Sequence, residues 1–312
     1  MESLQAIKNR LGAVKNIGQI TKAMEVVAAT KMRRAQELAL NSRSYAFKAL
    51  DLLEKLSREE NIKFNLAQAR EVSNTLVVII SSDRGLAGPF NSQIARASDK
   101  FFDEDPHSQN PDHKFLILSV GRKALAYAKK KHFEIADSFS RIGDFARLEE
   151  VGPLEEVIIN GFESGKWDRV VTISMHFRTT LKQEVLSRQI LPVDFSKIRE
   201  TVYEIVPEHG RFSEISRENL KELNEPAVEY IFEPTRAEAI KALIPHLIKM
   251  QLYHLILEAN ASEHSARRVA MKAACDNAEE IFSKLTLSYN KARQAYITNE
   301  MVEITSTQSA LN

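Results

Sequence analysis

Residues that interrupt helices are concentrated in the middle of the chain. Of the 10 Gly and 9 Pro, every one lies in the range 85–245 except Gly12 and Gly18. The ranges 19–84 and 246–312 contain neither residue, although a Gly costs a helix interior about 1 kcal/mol and a Pro about 3 kcal/mol. This distribution predicts one long helix at each end of the chain. At about 1.5 Å per residue, the C-terminal helix would extend roughly 100 Å.

Helices of this length need a packing partner along their length. On the N-terminal helix, apolar residues recur at intervals of three and four: Leu4, Ile7, Leu11, Val14, then Ile17, Ile20, Met24 and Val27. The interval from Val14 to Ile17 is three residues, where four would continue the heptad. This interval predicts a stammer, which locally overwinds a coiled coil.

The C-terminal helix carries a second seam of mostly small residues, which allow two helices to approach closely. Its predicted members are Ala270, Ala274, Asn277, Ile281, Leu285, Ser288, Ala292, Ala295, Asn299 and Val302. We therefore predict a long antiparallel coiled coil formed by an N-terminal helix in 1–70 and a C-terminal helix in 236–312. The region 71–235 would be a domain inserted at one end of the paired helices.

The inserted region alternates between β-rich and helical patterns. Strands are predicted in three short apolar runs, at 75–81, 114–120 and 169–176. Helices are predicted at 91–102, 122–131 and 154–164. This alternation predicts a doubly wound, Rossmann-like α/β domain. Loops are predicted at 106–111 and 207–226, where Pro and polar residues cluster.

Overall charge and hydropathy exclude several classes of partner. The chain has 43 Lys and Arg against 42 Asp and Glu, a net charge of +1, which predicts neither nucleic-acid binding nor attraction to an anionic membrane. No run approaches the roughly 20 apolar residues of a membrane span, so we expect no direct membrane insertion. The single cysteine, Cys275, cannot form an internal disulfide.

Two segments resemble nucleotide-binding motifs, but neither matches its motif in full. The segment 81–91 (SSDRGLAGPFN) follows a predicted strand, but its glycines do not form G-x-G-x-x-G. The segment 161–167 (GFESGKW) has one residue too few for a Walker A loop and ends in Trp167 instead of Ser or Thr; we interpret it as a surface turn. The eight histidines show no metal-binding spacing. We expect no catalytic site, cofactor or metal in this chain.

Four segments together carry a resemblance to one family. The segment 20–35 (ITKAMEVVAATKMRRA) resembles I-T-K-A-M-x-M-V-A-A-x-K, and 82–91 (SDRGLAGPFN) resembles S-D-R-G-L-C-G-x-F-N. The element 230–234 (YIFEP) and the long segment 262–304 are similar to the region before and within the last helix of the same family. On these segments, which span both ends and the middle, the chain resembles the gamma subunits of F-type ATP synthases.

This resemblance implies a mechanical function. In the family, paired helices form an asymmetric shaft inside a ring of alternating alpha and beta subunits, while the α/β domain contacts epsilon and the membrane c-ring. The chain would then be the rotor shaft, coupling ion-driven c-ring rotation to conformational cycling of the catalytic beta subunits. We expect a peripheral location on the cytoplasmic side of a bacterial inner membrane.

Site residues are inferred from the same resemblance. The positions implied to contact the alpha/beta ring are Lys22, Met24, Lys31, Arg267, Arg293, Gln294 and Thr298. The positions implied to form a turn in the foot domain are Asp83, Arg84, Gly85, Gly88 and Asn91. Alternative interpretations stay open: Met24 could pack in the seam, and each polar residue could belong to a solvated helix face.

The chain departs from the family pattern in places. Gly18 and Gln19 replace the usual Gln and Lys, Ala87 replaces a Cys, and the tail 306–312 lacks the usual Gly. A non-rotary coiled-coil scaffold or tether is the alternative function, because it would also explain long helices without catalytic motifs.

Overall fold

The computed structural model describes residues 3–59, 65–180, 182–194 and 235–310. In these ranges the α-helices are α1 Leu4–Glu59, α2 Phe90–Glu104, α3 Arg122–Lys130, α4 Gly152–Glu163 and α5 Arg236–Ala310. The strands in the same ranges are β1 Asn74–Ile80, β2 Lys114–Val120, β3 Glu134–Phe139, β4 Arg169–Phe177 and β5 Gln183–Leu191. The predicted loop 207–226 and the element 230–234 lie outside the described residues.

The predicted helices at both ends are confirmed. α1 has 56 residues and α5 has 75 residues. α5 continues through Pro245, which lacks the N–H that would bond one turn back. The chain divides into two compact units, of which one combines the region up to Ala28 with the region from Arg267 onward, and the other is Ala29–Ala266. Both long helices contribute a segment to each unit.

The unit Ala29–Ala266 contains a five-stranded sheet in the order β3-β2-β1-β4-β5. β1 pairs in parallel with β2 and β4, and β2 pairs in parallel with β3. β5 pairs antiparallel with β4 at the edge. The central strand β1 (NTLVVII) is buried over almost its whole length, as expected for a parallel strand covered on both faces.

Helices cover both faces of this sheet, which confirms the predicted doubly wound domain. On one face, Leu76 and Val78 pack with α4 and with the part of α5 that includes Ile248 and Leu252. On the other face, Val77 and Ile79 pack with α2 and α3. The alternation follows from strand geometry, since successive side chains point to opposite faces.

The predicted strands and helices of this domain agree with the structure to within about two residues at most ends, the usual uncertainty of element boundaries. Two strands were not predicted, β3 (EIADSF) and β5 (QEVLSRQIL). Both lie at the edges of the sheet. The predicted loop 106–111 contains a short 3₁₀ helix, Pro106–Gln109.

Candidate partner-binding surface of the paired helices

The first unit is an antiparallel pair formed by the start of α1 and the second half of α5. A Cβ added at Gly18 would lie 3.6 Å from the Cβ of Ala278, and the Cys275 Sγ lies 3.8 Å from the Gly18 carbonyl oxygen. About two turns later on α1, Glu25 lies near Arg268. A hydrogen bond from Lys22 is the main cause that lowers the pKa of Glu25, and the charge of Arg268 adds to it. Residues later in α1 therefore pack against residues earlier in α5, so the two helices run antiparallel.

The seam of α1 follows a different line from the predicted one. Its buried or half-buried residues are Leu4, Ile7, Leu11, Val14, Gly18, Thr21, Glu25 and Ala28. The step from Val14 to Gly18 is four residues, so the heptad continues and the predicted stammer is wrong. Ile17, Ile20 and Val27 are 53%, 59% and 53% exposed, and only Met24 of the predicted second half is half-buried.

The seam of α5 is also shifted from the predicted one. The buried residues are Met271, Cys275 and Ala278, each one position after a predicted member. Predicted members such as Ile281 are exposed, whereas Leu285 and Ala292 are half-buried as expected. Small residues do meet where the helices are close, at Gly18 and Ala278, although neither was a predicted member of the seam.

Apolar side chains that miss the seam form an exposed apolar surface on both helices. Its members in the paired region are Ile17, Ile20, Val26, Val27, Val269, Ile281 and Leu287. Its members near the end of α5 are Tyr296, Ile297, Met301, Val302 and Ile304. Every residue in 293–306 is exposed, because the α1 pairing runs out near Ala292. We call these twelve side chains the apolar surface.

Four of the seven positions implied as ring contacts lie exposed in this unit. Lys22 is exposed and forms an ion pair with Glu25 at 2.9 Å. Arg293, Gln294 and Thr298 lie in the exposed end of α5, where the Thr298 hydroxyl donates to the Gln294 carbonyl oxygen at 2.9 Å. Met24 is half-buried beside the seam, so part of it packs and part stays accessible.

The remaining two positions are engaged within the chain. Lys31 lies in the other unit, where its Nζ contacts the Oδ2 atom of Asp144. Arg267 is 9% exposed, so a solvated helix face is the wrong interpretation for this residue. Six of the seven positions therefore lie in the unit of the paired helices, and Lys31 lies in the unit of the sheet.

The α1 segment of this unit is basic. Between residues 4 and 28 it carries four basic side chains, Lys8, Arg10, Lys15 and Lys22, against the single carboxylate Glu25. Lys8, Arg10, Lys15 and Lys22 are all exposed. Exposed apolar and basic groups on one helix create a surface suited to a partner with apolar and acidic groups.

The predicted foot-domain turn follows β1 and is closed by its own side chains. Asp83 accepts hydrogen bonds from the backbone N–H groups of Arg122 at 3.0 Å and Arg141 at 2.8 Å. It thereby joins the loops that follow β2 and β3. A carboxylate in this place disfavours a phosphate, which in doubly wound folds binds at the carboxyl ends of the strands.

The rest of this turn is held by short-range contacts. The Asn91 Oδ1 atom accepts from the backbone N–H of Ser82 at 3.2 Å, and the Ser82 hydroxyl donates to the carbonyl oxygen of Arg84 at 2.6 Å. Gly88 has φ +53°, a conformation that glycine adopts without steric cost. A Cβ at Gly85 would meet nothing within 4 Å.

The segment 161–167 is the end of α4 and the turn after it. A Cβ added at Gly161 would lie 1.8 Å from the Trp167 ring, and the Trp167 indole N–H donates to the Ile158 carbonyl oxygen at 3.0 Å. Trp167 is buried. The interpretation as a surface turn therefore holds for 163–166 and is wrong for Trp167. The Trp167 ring fills the space beside Gly161 that a bound phosphate would need.

Sequence reasoning missed two carboxylates that join distant elements. Asp144 contacts Lys31 of α1 and His264 of α5. Glu258 of α5 lies 3.2 Å from His176 of β4. A signal for Glu258 was present, because it is an acidic residue in the apolar run 250–259 of a helix; the loop position of Asp144 gave none. His264 is buried, and its Nε2 atom lies 3.0 Å from the Asp144 Oδ1 atom.

Within the described residues, no three His, Cys, Asp or Glu side chains cluster as metal ligands. None of the helices in the described part of the chain has the length and hydropathy needed to cross a membrane.

Comparison with known proteins identifies the family. The family described as "ATP synthase" matches residues 3–311. The chain is 37% identical to the ATP synthase gamma chain of Roseiflexus castenholzii, with 100% of this chain and 99% of the relative covered. It is 35% identical to the ATP synthase gamma chain of Geotalea uraniireducens, with 98% of each covered.

Solved structures show the same fold. A chain of the Euglena gracilis mitochondrial ATP synthase rotor matches with a TM-score of 0.59 at 20% identity, covering 94% of this chain and 98% of that chain. A chain of the OSCP/F1/c-ring assembly of the same enzyme matches with a TM-score of 0.61 at 19% identity, covering 99% and 94%. Together with the full-length relatives, these matches establish that the chain belongs to the ATP synthase gamma-chain family.

Proposed function

We propose that this chain is the rotor shaft of an F1Fo ATP synthase, coupling ion-driven rotation of the c-ring to conformational cycling of the catalytic beta subunits. The observation that carries the proposal is the apolar surface of the paired helices. Twelve large apolar side chains are exposed there, and exposed apolar patches of this kind mark surfaces that bind partners. Burial by surrounding alpha and beta subunits would remove this surface from water.

The paired helices support rotary coupling because they differ from one another around their circumference. The exposed side of α1 is basic and apolar, whereas α5 carries acidic residues such as Asp276 and Glu279 beside its basic ones. Each beta subunit would therefore meet a different surface at each orientation of the shaft. By linkage, nucleotide binding in a beta subunit favours particular orientations as strongly as those orientations favour binding.

Charge complementarity supports beta as a direct partner of α1. The resemblance implies that Met24 faces an acidic lever loop of beta and that Lys22 and Lys31 flank Met24. In the isolated chain, the exposed ammonium of Lys22 is paired with Glu25, and Lys31 is paired with Asp144. Lys22 is the better candidate for a contact with beta, because an exposed ion pair exchanges partners at little cost.

The same proposal assigns the remaining partners and the location. The α/β domain would contact epsilon and the c-ring, and the assembly would lie peripherally on the cytoplasmic side of the cell inner membrane. The domain borders 1–70, 71–235 and 236–312 belong to this proposal. The chain itself would contribute no catalytic group or cofactor, since the turn around Asp83 is closed by its own hydrogen bonds.

Reconstitution tests the proposal. The chain would be expressed with the alpha and beta subunits from the same cells, and ATP hydrolysis and rotation of a bead on the α/β domain would be recorded. A rotor shaft is expected to raise hydrolysis above that of alpha and beta alone and to rotate in one direction. Unchanged hydrolysis and a static bead would favour the scaffold or tether alternative.

A binding titration with ATP and NAD tests the absence of a catalytic role. The isolated chain is expected to show no saturable binding of either nucleotide. Saturable binding at the end of β1 would contradict the proposal, because a nucleotide site there would make the α/β domain an enzyme-like domain.

A further inference from the structure

The segment Glu258–Ser265 of α5 is unusual within its unit because polar side chains on several of its faces bond to other elements. These bonds surround a small apolar cluster in which Ala261 packs with Met32 and Ala35 of α1 and with Phe177 of β4. We call this segment and its polar partners the junction.

One side of the junction fastens α5 to the sheet. The His176 Nδ1 atom of β4 lies 3.2 Å from the Glu258 Oε2 atom, and the Arg188 Nη1 atom of β5 lies 3.5 Å from the same oxygen. Burial opposes ionisation of Glu258, but the hydrogen bond with His176 and the charge of Arg188 outweigh burial and lower its pKa. The Ser265 hydroxyl adds a bond to the Thr180 carbonyl oxygen at 2.8 Å.

The other side of the junction fastens α5 to a loop and, through it, to α1. The Asn260 side-chain amide donates to the Gly143 carbonyl oxygen at 3.2 Å. The His264 Nε2 atom lies 3.0 Å from the Asp144 Oδ1 atom, while the Oδ2 atom contacts the Lys31 ammonium of α1. One carboxylate therefore bridges both long helices.

The two sides act on different faces of one helix. At about 100° per residue, Glu258 and Ser265 share a direction, whereas Asn260 and His264 point about 130° away from it. Rotation of α5 about its own axis would disturb the close apolar packing of Ile248 and Leu252 against the sheet, and directional polar contacts add to this resistance. Charged hydrogen bonds on two faces are directional and resist rotation in either sense.

We propose that the junction carries torque between the α/β domain and α5, with Glu258 and Asp144 as its positioning residues. This inference rests on the proposed function as a rotor shaft. α5 continues without interruption from Ser265 into the segment that pairs with the start of α1. Twist applied to the α/β domain would therefore reach the paired helices through these bonds.

Angular fluctuation of a bead measures this stiffness. The alpha/beta ring of the assembled complex is fixed to a surface, and a bead is attached to the α/β domain through a cysteine introduced at exposed Lys130. The variants E258Q and D144N remove one charge from each side of the junction. Both are expected to broaden the angular distribution of the bead about twofold. E258Q leaves the buried His176 without its carboxylate partner, and D144N removes the charge that links His264 to Lys31.

The matched control is D105N. Asp105 is buried in the same unit and pairs with Arg169 at 2.8 Å, but its bonds join loop and sheet instead of α5. D105N is expected to lower thermal stability while leaving the angular distribution unchanged. This control separates a loss of torsional stiffness from a general loss of domain stability.

Each outcome decides the inference. If E258Q prevents assembly, D144N alone decides the inference. The Asp144 side chain is 42% exposed, and Asn has nearly the same size, so D144N is expected to fold. The inference would be overturned if the angular distributions of E258Q and D144N equalled that of the unaltered complex. It would also be overturned if D105N broadened the distribution as much as E258Q and D144N do. If the unaltered chain fails to rotate in the ring, the proposed function has failed instead.

Discussion

Gly121 illustrates how one backbone position shapes the α/β domain. It lies between β2 and α3 with φ +94°, a conformation that L side chains rarely adopt. A Cβ at this position would lie 2.2 Å from the Ser81 carbonyl oxygen. The close approach allows the loop after β2 to contact the end of β1, where the Ser81 hydroxyl accepts from the Ala124 N–H at 2.6 Å.

Substitution of Gly121 by Ala is therefore expected to destabilise the domain by about 2–4 kcal/mol, through strain at positive φ and a clash with backbone. Urea titration followed by circular dichroism measures the change. The control is Gly12→Ala, a helical position with open space within 4 Å, which should stabilise by about 0.5–1 kcal/mol. A neutral Gly121→Ala would contradict the steric argument.

Asp144 makes stability depend on pH in a defined direction. Hydrogen bonding to His264 and the ion pair with Lys31 outweigh burial and lower the pKa of Asp144 well below the ordinary aspartate value of 3.8. Because the folded pKa is below the unfolded one, its stabilising contribution is complete above about pH 4. The contribution is lost as the pH falls through the folded pKa.

Asp144→Asn is expected to lower the free energy of unfolding at pH 7 by about 0.5–1 kcal/mol, a modest value because the side chain is partly exposed. The difference between the unaltered chain and the variant should shrink below about pH 4. Urea titrations from pH 3 to pH 7 measure it. A difference that grows on acidification would mean that the carboxylate is not stabilising.

At the scale of elements, the sequence indicated the strands that lie inside the sheet and missed those at its edges. β1, β2 and β4 have apolar β-branched runs because both of their faces are covered. β3 and β5 alternate polar and apolar residues and contain few such runs. Edge strands need only one buried face, so their pattern resembles that of loops and short helices.

The pairing of α1 with α5 was predictable, but its phase was not. Heptad reasoning assigns the most apolar line to the seam, whereas the structure buries Thr21 and Ala28, leaves Gly18 half-buried and exposes Ile17, Ile20 and Val27. The two lines are one residue apart. Without a partner in view, apolar residues that bind another subunit look like residues that pack within the chain.

Gly18 tests the observed phase. Gly18→Ala is expected to be tolerated, since its Cβ would lie 3.6 Å from the Ala278 Cβ. Gly18→Leu should force the helices apart and cost about 1–3 kcal/mol. Thermal unfolding by far-UV circular dichroism measures both, with Gly12→Leu as the control at an exposed position. Equal effects of leucine at 12 and 18 would argue against close contact at Gly18.

At the scale of the whole molecule, folding and assembly use different residues of one helix. Ala28 is 1% exposed and Ile20 is 59% exposed, although they lie only eight positions apart on α1. A seam residue contributes to the stability of the isolated chain. A residue of the apolar surface contributes only when a partner covers it, so its loss appears in the assembled complex alone.

The pair Ile20→Asp and Ala28→Asp separates these two contributions. Ile20→Asp is expected to leave the melting temperature of the isolated chain within about 1 °C, because an exposed position loses no packing. It should nevertheless lower activation of alpha/beta ATP hydrolysis at least about tenfold, since a buried unpaired carboxylate in an interface is costly. Ala28→Asp should lower both quantities. If Ile20→Asp instead lowered the melting temperature of the isolated chain as much as Ala28→Asp does, Ile20 would belong to the seam. The apolar surface would then lose its central member.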